Sequence, residues 1–174
     1  FVRGLAQAGA RVLGVGDQSR GALPSPAREG LSAYLQVPSL WDTAAVIRAL
    51  RTWDVPVKLH RVECLWEVGM DLAAEVRQAF HLPGLSPAQT RCFRDKDLMR
   101  RVLDEAGVRN PRHAKASSVS QILEAAAHTG FPLIVKPIEG AGSAHTYRVD
   151  DMAELKRVLP LIQHVPEVVV EEFI

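Results

Sequence analysis

The sequence predicts an α/β chain: a small, doubly wound parallel sheet, followed by an α+β lobe with an antiparallel sheet. Three observations carry this expectation. In the first half, short apolar runs alternate with helical patterns, the rhythm of a parallel sheet flanked by helices. Around residues 83–87, Pro-Gly-Leu-Ser-Pro changes the composition and makes a natural joint. Beyond residue 111, four short strand patterns and two helical ones read as an antiparallel sheet with helices on one side. The expected boundaries are 1–90 for the α/β domain, 91–110 for a connecting helix and 111–174 for the second lobe.

A chain of 174 residues, 47% hydrophobic and 24% charged, is that of an ordinary globular protein with a real core. A net charge of +1 gives no broad basic field, so nucleic acid is not an expected partner. No apolar run approaches the roughly 20 residues that span a bilayer. Cys64 and Cys92 are lone thiols without metal spacing, which fits a reducing cytoplasm.

In chain order, Val2, Leu5 and Ala6 share a helical face that Gly9 can end, and residues 11–16 read as a strand. Gly14 and Gly16 hint at a dinucleotide fingerprint, but no third glycine opens a following helix. Residues 17–30, rich in Gly, Pro and Ser, read as a loop, and 33–37 as a second strand. Asp42 caps a helix carrying Val46, Ile47 and Leu50, and residues 55–62 read as a third strand. Leu65, Val68, Leu72, Val76, Ala79 and Phe80 then mark one face of a long helix ending near Leu82. Ligands of open parallel sheets sit beyond the carboxyl ends of the strands, which makes Glu63 and Glu67 substrate candidates. Both also read as helix-start carboxylates meeting the macrodipole.

Asp95 can cap the next helix, which places Lys96 in its first turn, where the dipole is already positive. An anion would offset that placement; so would Asp95 and Asp97. His113–Ala116 reads as a strand, and Ser118 with Gln121 forms the capping box of a helix stopped by Gly130. The central stretch follows. Residues 131–137, Phe-Pro-Leu-Ile-Val-Lys-Pro, form a strand delivering Lys136 at its end, on the same face as Ile134. Gly140, Ala141, Gly142, Ser143 and Ala144 then make a small-residue loop, whose amides can close over an anion such as phosphate. The other reading of Lys136 is a salt-bridged edge lysine beside a plain turn. Asp151 caps a further helix, and residues 167–173 read as the last strand.

The joint Leu82-Pro83-Gly84-Leu85-Ser86, then Asp95-Lys96 with Met99, then Ala106-Gly107-Val108 with Pro111 occur in an order matched by Gly130 to Pro137, the small-residue loop and Val170-Glu171-Glu172-Phe173-Ile174. In that order and spacing the chain resembles the ATP-grasp superfamily, in particular its biotin-carboxylase-like and carboxylate–amine ligase branches. The resemblance implies a pre-ATP-grasp domain followed by the ATP-grasp lid lobe. It implies an ATP-dependent carboxylate–amine or carboxylate–thiol ligase acting through an acyl phosphate, with ATP and Mg²⁺ as cofactors. Lys96 and Lys136 would neutralise phosphates, the amides of Gly140, Ala141, Gly142, Ser143 and Ala144 would close over them, and Glu171, Glu172, Phe173 and Ile174 would form the adenine hinge. Glu171 and Glu172 also read as ion-pair partners of Lys136, and both roles are compatible. His145 stands where the family commonly has a further glycine.

The helix–strand rhythm of the first residues places a first strand before Phe1, and the resemblance implies that the second ATP-grasp lobe and the Mg²⁺ ligands follow Ile174 and that this portion alone is inactive. Expected partners are ATP and small carboxylate and amine substrates, with a homodimer as an option and no membrane. A catalytically silent nucleotide-binding or assembly module of the same fold is the alternative.

Overall fold

The computed structural model describes residues 1–140 and 142–174. The chain divides into two units, Phe1–Ser86 and Pro87–Ile174. In the first, α1 (Val2–Gln7) ends where Gly9 adopts φ 85° and the Ala10 amide donates to the Leu5 carbonyl at 3.0 Å. Only a residue tolerant of the left-handed region closes a helix this way cheaply. β1 (Leu13–Gly16) and β2 (Ala33–Gln36) run parallel, Leu13 opposite Ala33 and Gly16 opposite Gln36. Between them come a 3-10 turn, Arg20–Ala22, and α2 (Ser25–Gly30). This helix lies in a stretch expected as loop; Pro26 sits in its first turn, where a fixed φ favours a helix and the missing N–H costs nothing.

Gly14 and Gly16 serve packing. A Cβ on Gly14 would come within 2.9 Å of the Tyr34 ring, which crosses β1 from β2 and donates its hydroxyl to the Gln18 carbonyl at 2.7 Å. α3 (Thr43–Thr52) begins as expected, the Asp42 carboxylate accepting from the Ala45 amide at 2.9 Å. A 3-10 turn, Glu67–Gly69, leads into α4 (Met70–Ala79). Val37, Val46 and Val76 form the core of this unit, with Val15, Leu35, Ile47, Leu50 and Phe80 packed around them.

Two expectations change here. Residues 55–62 form no strand, although their side chains alternate as one would, Val55, Val57 and Leu59 inward and Pro56, Lys58 and His60 outward. Pro56 lacks a ladder donor, the Val57 amide turns back to the Val55 carbonyl at 2.8 Å, and the Val62 carbonyl is taken by Arg77 Nη1 at 2.8 Å. The helix expected from Leu65 starts only at Met70. Gly69 closes the preceding turn, where a Cβ would strike the Cys64 sulfur at 2.6 Å, and Leu65 is 71% exposed.

The second unit contains α5 (Pro87–Arg94), α6 (Lys96–Glu105), β3 (His113–Ala116), α7 (Val119–Thr129), β4 (Leu133–Pro137), β5 (Tyr147–Val149), α8 (Met152–Ile162) and β6 (Val168–Glu172). α5 begins at the last residue of the expected joint and runs into the expected connecting helix; Pro87 at its first position again suits a helix start. The sheet order is β3-β6-β4-β5, every pair antiparallel. Both capping motifs are shifted by one residue. Ser118 accepts from the Gln121 amide at 3.3 Å, while the Gln121 side chain accepts from the Ser117 amide at 2.8 Å. Asp151 likewise accepts from the Glu154 amide at 2.7 Å, and the Glu154 carboxylate takes the Asp150 amide at 2.9 Å.

Register divides the sheet into two faces. Ala116, Leu133, Val135, Val149, Val168 and Val170 form the apolar core with Ile122 and Ala126 of α7 and Leu155, Val158 and Ile162 of α8. The other face carries His113, Lys115, Ile134, Lys136 and Glu171, Ile134 lying directly opposite Glu171. Leu133 is fully buried at the centre of the apolar face. Leu133→Ala is expected to lower unfolding stability by about 2–5 kcal/mol, measured by denaturant titration followed by circular dichroism.

Candidate functional site

The charged face holds the candidate site. Glu171 is 6% exposed, and both its oxygens are engaged. Oε1 accepts from Lys136 Nζ in a close ion pair, and Oε2 accepts from Arg100 Nη2 at 3.0 Å. The strand-end lysine thus has a negative partner two residues away on the neighbouring strand, and a second cation arrives from α6. Arg100 is fixed in turn by Asn110: Nη1 donates to the Asn110 side-chain oxygen at 2.9 Å, and the Asn110 amide nitrogen donates to the Arg100 carbonyl at 2.9 Å and to Asp104 Oδ1 at 3.1 Å.

Lys96 opens α6. Asp95 accepts from the Leu98 amide at 2.9 Å as the helix cap, and Asp97 pairs with Arg101 at 3.3 Å. The Lys96 ammonium donates to the Ile138 carbonyl at 3.2 Å, and its own amide to the same oxygen at 3.3 Å. This fastens the first turn of α6 to the chain just beyond Lys136. Lys96, Lys136 and the start of the small-residue loop are therefore contiguous although the two lysines lie far apart in sequence.

In the loop, Gly142, Ser143, Ala144 and His145 are exposed, and Gly142, Ser143 and His145 take φ of 66°, 58° and 54°. The Thr146 amide closes a turn on the Ser143 carbonyl at 3.3 Å. Ala141, expected among the loop amides, lies outside the described residues. His145 packs edge-on against His164, ring centroids 4.6 Å apart.

At the end of β6, Glu172 faces Arg112, accepting from Nη2 at 3.2 Å and from the Arg112 amide at 3.3 Å. These hydrogen bonds, the side-chain one first, hold the Glu172 carboxyl below its ordinary range. Phe173 is 40% exposed, its amide bonded to the Pro132 carbonyl at 3.1 Å and its ring under the Arg148 guanidinium at 4.3 Å. Ile174 is 78% exposed.

The structure gathers Lys96, Lys136, Gly140 and Glu171 in the second unit and continues along β6 to Glu172, Phe173 and Ile174. Glu63 and Glu67 belong to the first unit, where both are exposed. Residues 55–62 do not pair into the sheet, so the strand-end placement that singled them out is not realised. Sequence reasoning missed Arg100, Asn110 and Arg112. Arg100 stands four residues after Lys96 on the same helix face, a spacing that could have flagged it. Among the described residues no group of three His, Cys, Asp or Glu side chains is placed to hold a metal, and Glu171 is committed to two cations.

No family model matches the sequence. The chain is 33% identical to a D-alanine–D-alanine ligase of Clostridium perfringens over 93 residues, 52% of this chain and 31% of the relative. It is 30% identical to the carbamoyl phosphate synthase large chain of Xylella fastidiosa over 148 residues, 81% of this chain and 14% of that one. The structure superimposes on N5-carboxyaminoimidazole synthetase from Staphylococcus aureus, solved with ADP, with a TM-score of 0.72 and 18% identity, over 99% of this chain and 44% of the synthetase. Its fold is the ATP-grasp fold. The two-unit arrangement read from the sequence, a small parallel sheet and then an antiparallel lobe, agrees with the ATP-grasp fold. The chain spans about a third of the D-alanine–D-alanine ligase that it matches. No helix of the described residues is long and apolar enough to cross a membrane.

The Arg112 contact generates a prediction with a definite sign. A carboxyl lowered in the folded state contributes stability in full above its unfolded midpoint and loses it as pH falls through the folded one. In a carbon NMR titration, Glu172 should titrate below the ordinary glutamate range, and Arg112→Met should move it back toward that range, the backbone amide bond remaining. An unchanged midpoint in the variant would assign the shift to another cause.

Proposed function

We propose that this chain supplies the phosphate- and adenine-contacting portion of an ATP-dependent carboxylate–amine or carboxylate–thiol ligase that works through an acyl phosphate. The observation that carries this reading is the contiguity of Lys96, Lys136 and the loop beginning at Gly140, with Lys96 tied to the Ile138 carbonyl. Two ammonium groups and a run of small-residue amides at a strand end suit a polyphosphate, whose transfer demands mainly positioning and charge stabilisation. The likeness to ligases and to a synthetase solved with ADP supports the same reading.

In this reading a substrate carboxylate oxygen attacks the γ-phosphorus, the bond to the bridging oxygen breaks, and ADP leaves. The amine or thiol then adds to the acyl carbon and inorganic phosphate departs. Lys96 and Lys136 offset charge on the phosphate oxygens, and the amides of Gly140, Ala141, Gly142, Ser143 and Ala144 hold the transferring group in line. Glu171, Glu172, Phe173 and Ile174 lie along the adenine: the Glu172 carbonyl and the backbone of Ile174 face its hydrogen-bonding edge, the Glu172 amide being given to the Arg112 carbonyl at 2.8 Å, and the exposed Phe173 ring offers apolar surface. Glu171 contributes by holding Lys136 at the end of this segment, its carboxylate being occupied by Lys136 and Arg100. Mg²⁺ would supply further charge neutralisation, and the small acids and amines joined would be met in the cytoplasm, where two free cysteines are at home.

Lys96→Ala and Lys136→Ala are each expected to weaken ATP binding by about tenfold to a hundredfold, the worth of a charge-assisted hydrogen bond. Isothermal calorimetry measures this, with circular dichroism to establish the fold. Either variant binding within twofold of wild type would remove that lysine from the phosphate site.

A further inference from the structure

Lys136 faces a conflict on the charged face. A lysine closed in an ion pair with a buried carboxylate has spent its charge, and an incoming phosphate meets a neutral pair. The side chains of Lys136 and Glu171 are only 17% and 8% exposed, so water does little to separate them. Arg100 changes the balance. It takes the other oxygen of the same carboxylate, so the three groups together hold one net positive charge instead of none.

Its guanidinium is built into that position. Asn110 holds Nη1, the Asn110 amide returns to the backbone of Arg100, and Nε lies buried without an acceptor among the described residues. A part-buried arginine leaving one N–H unused is positioned for its charge and its fork geometry, not to complete a hydrogen-bond network.

We propose that Arg100 is a positioning residue of the nucleotide site: by sharing Glu171 it keeps the Lys136 ammonium available to a phosphate, touching no nucleotide itself. Glu171 thereby aims the lysine without cancelling it. The inference rests on the phosphate-binding reading of Lys136, and the test separates the two.

Arg100→Met takes the net charge of the cluster from positive to zero. ATP affinity, read by calorimetry, is expected to fall about tenfold, within the range of one charge-assisted contact. Arg100→Met combined with Glu171→Gln restores the positive charge and should return affinity to within about threefold of wild type, on the same scale. Arg100→Lys, which keeps the charge but loses the fork to Asn110, should stay within about threefold as well. A second readout needs no nucleotide. Brief acetylation with acetic anhydride, quantified at each lysine by mass spectrometry, should modify Lys136 severalfold less in Arg100→Met, where Glu171 holds the protonated amine alone. Reactivity should recover in the double variant.

Unchanged Lys136 acetylation in Arg100→Met overturns the proposal, as does an affinity loss that the double variant fails to restore, since a packing role predicts that result. If Arg100→Met does not fold, Arg100→Lys decides: a tenfold loss there means that the fork matters and not the charge. If wild-type protein binds no ATP while the acetylation pattern holds, the division of Glu171 stands and the nucleotide reading fails.

Discussion

The second unit depends on one carboxylate. Glu171 sits in the middle strand β6 and draws a cation from β4 and another from α6 onto one face of the sheet. Burying three ionic groups is costly unless each is paired and oriented. Here the carboxylate is divided, one oxygen to each cation, and Arg100 is further held by Asn110 near the start of β3. The cluster therefore ties together three segments otherwise remote in sequence: the helix, the strand carrying Lys136 and the strand carrying Glu171. Removing Glu171 alone would leave two partly buried cations facing each other; removing either cation leaves the carboxylate a single partner.

Such a cluster is sustainable because the opposite face of the same strands is apolar apart from Glu172 at the end of β6. Leu133 and Val135 alternate with Ile134 and Lys136, and Val168 and Val170 with Val169 and Glu171. The period of a strand thus assigns stability to one face and charge to the other. α7 and α8 cover the apolar face and provide the burial that holds the sheet, so the charged face need not be optimised for stability. Val169, fully buried between Lys136 and Lys115 in register, joins Ile134 as an apolar side chain among these charges.

What was legible in the sequence follows the range of the interactions. Asp42, Asp95, Ser118 and Asp151 were readable as caps because a cap acts within three residues, and each does accept the expected amide. The strands of the second unit were readable from alternation. Residues 55–62 alternate equally well and yet form no strand, because a ladder needs a partner with free donors and acceptors, and periodicity says nothing of one. α2 and α5 were hidden by proline, which marks a joint and a helix start alike. Lys96 and Lys136 could be picked out by position at a helix start and a strand end. Arg100 had only its spacing from Lys96 to mark it, since its partner Glu171 lies 71 residues away.

The loop after Lys136 illustrates the same limit and bears on the chemistry. Glycines and small residues suggested a freely adaptable anion cradle, but the described conformation is specific. Ser143 and His145 both occupy the left-handed region, where a non-glycine residue costs about 1–3 kcal/mol. For His145, standing where the family commonly has glycine, that cost is set against the edge-on contact with His164 beyond α8. An aromatic edge-to-face contact contributes about 0.5–1.5 kcal/mol, enough to offset much of the strain of one residue. The loop is then shaped partly by its own unit before any ligand arrives: Lys96 holds its start through the Ile138 carbonyl, and His164 holds its end. A loop shaped in advance forfeits adaptability but needs less ordering when an anion binds, and ordering is a principal cost of binding with flexible glycine loops.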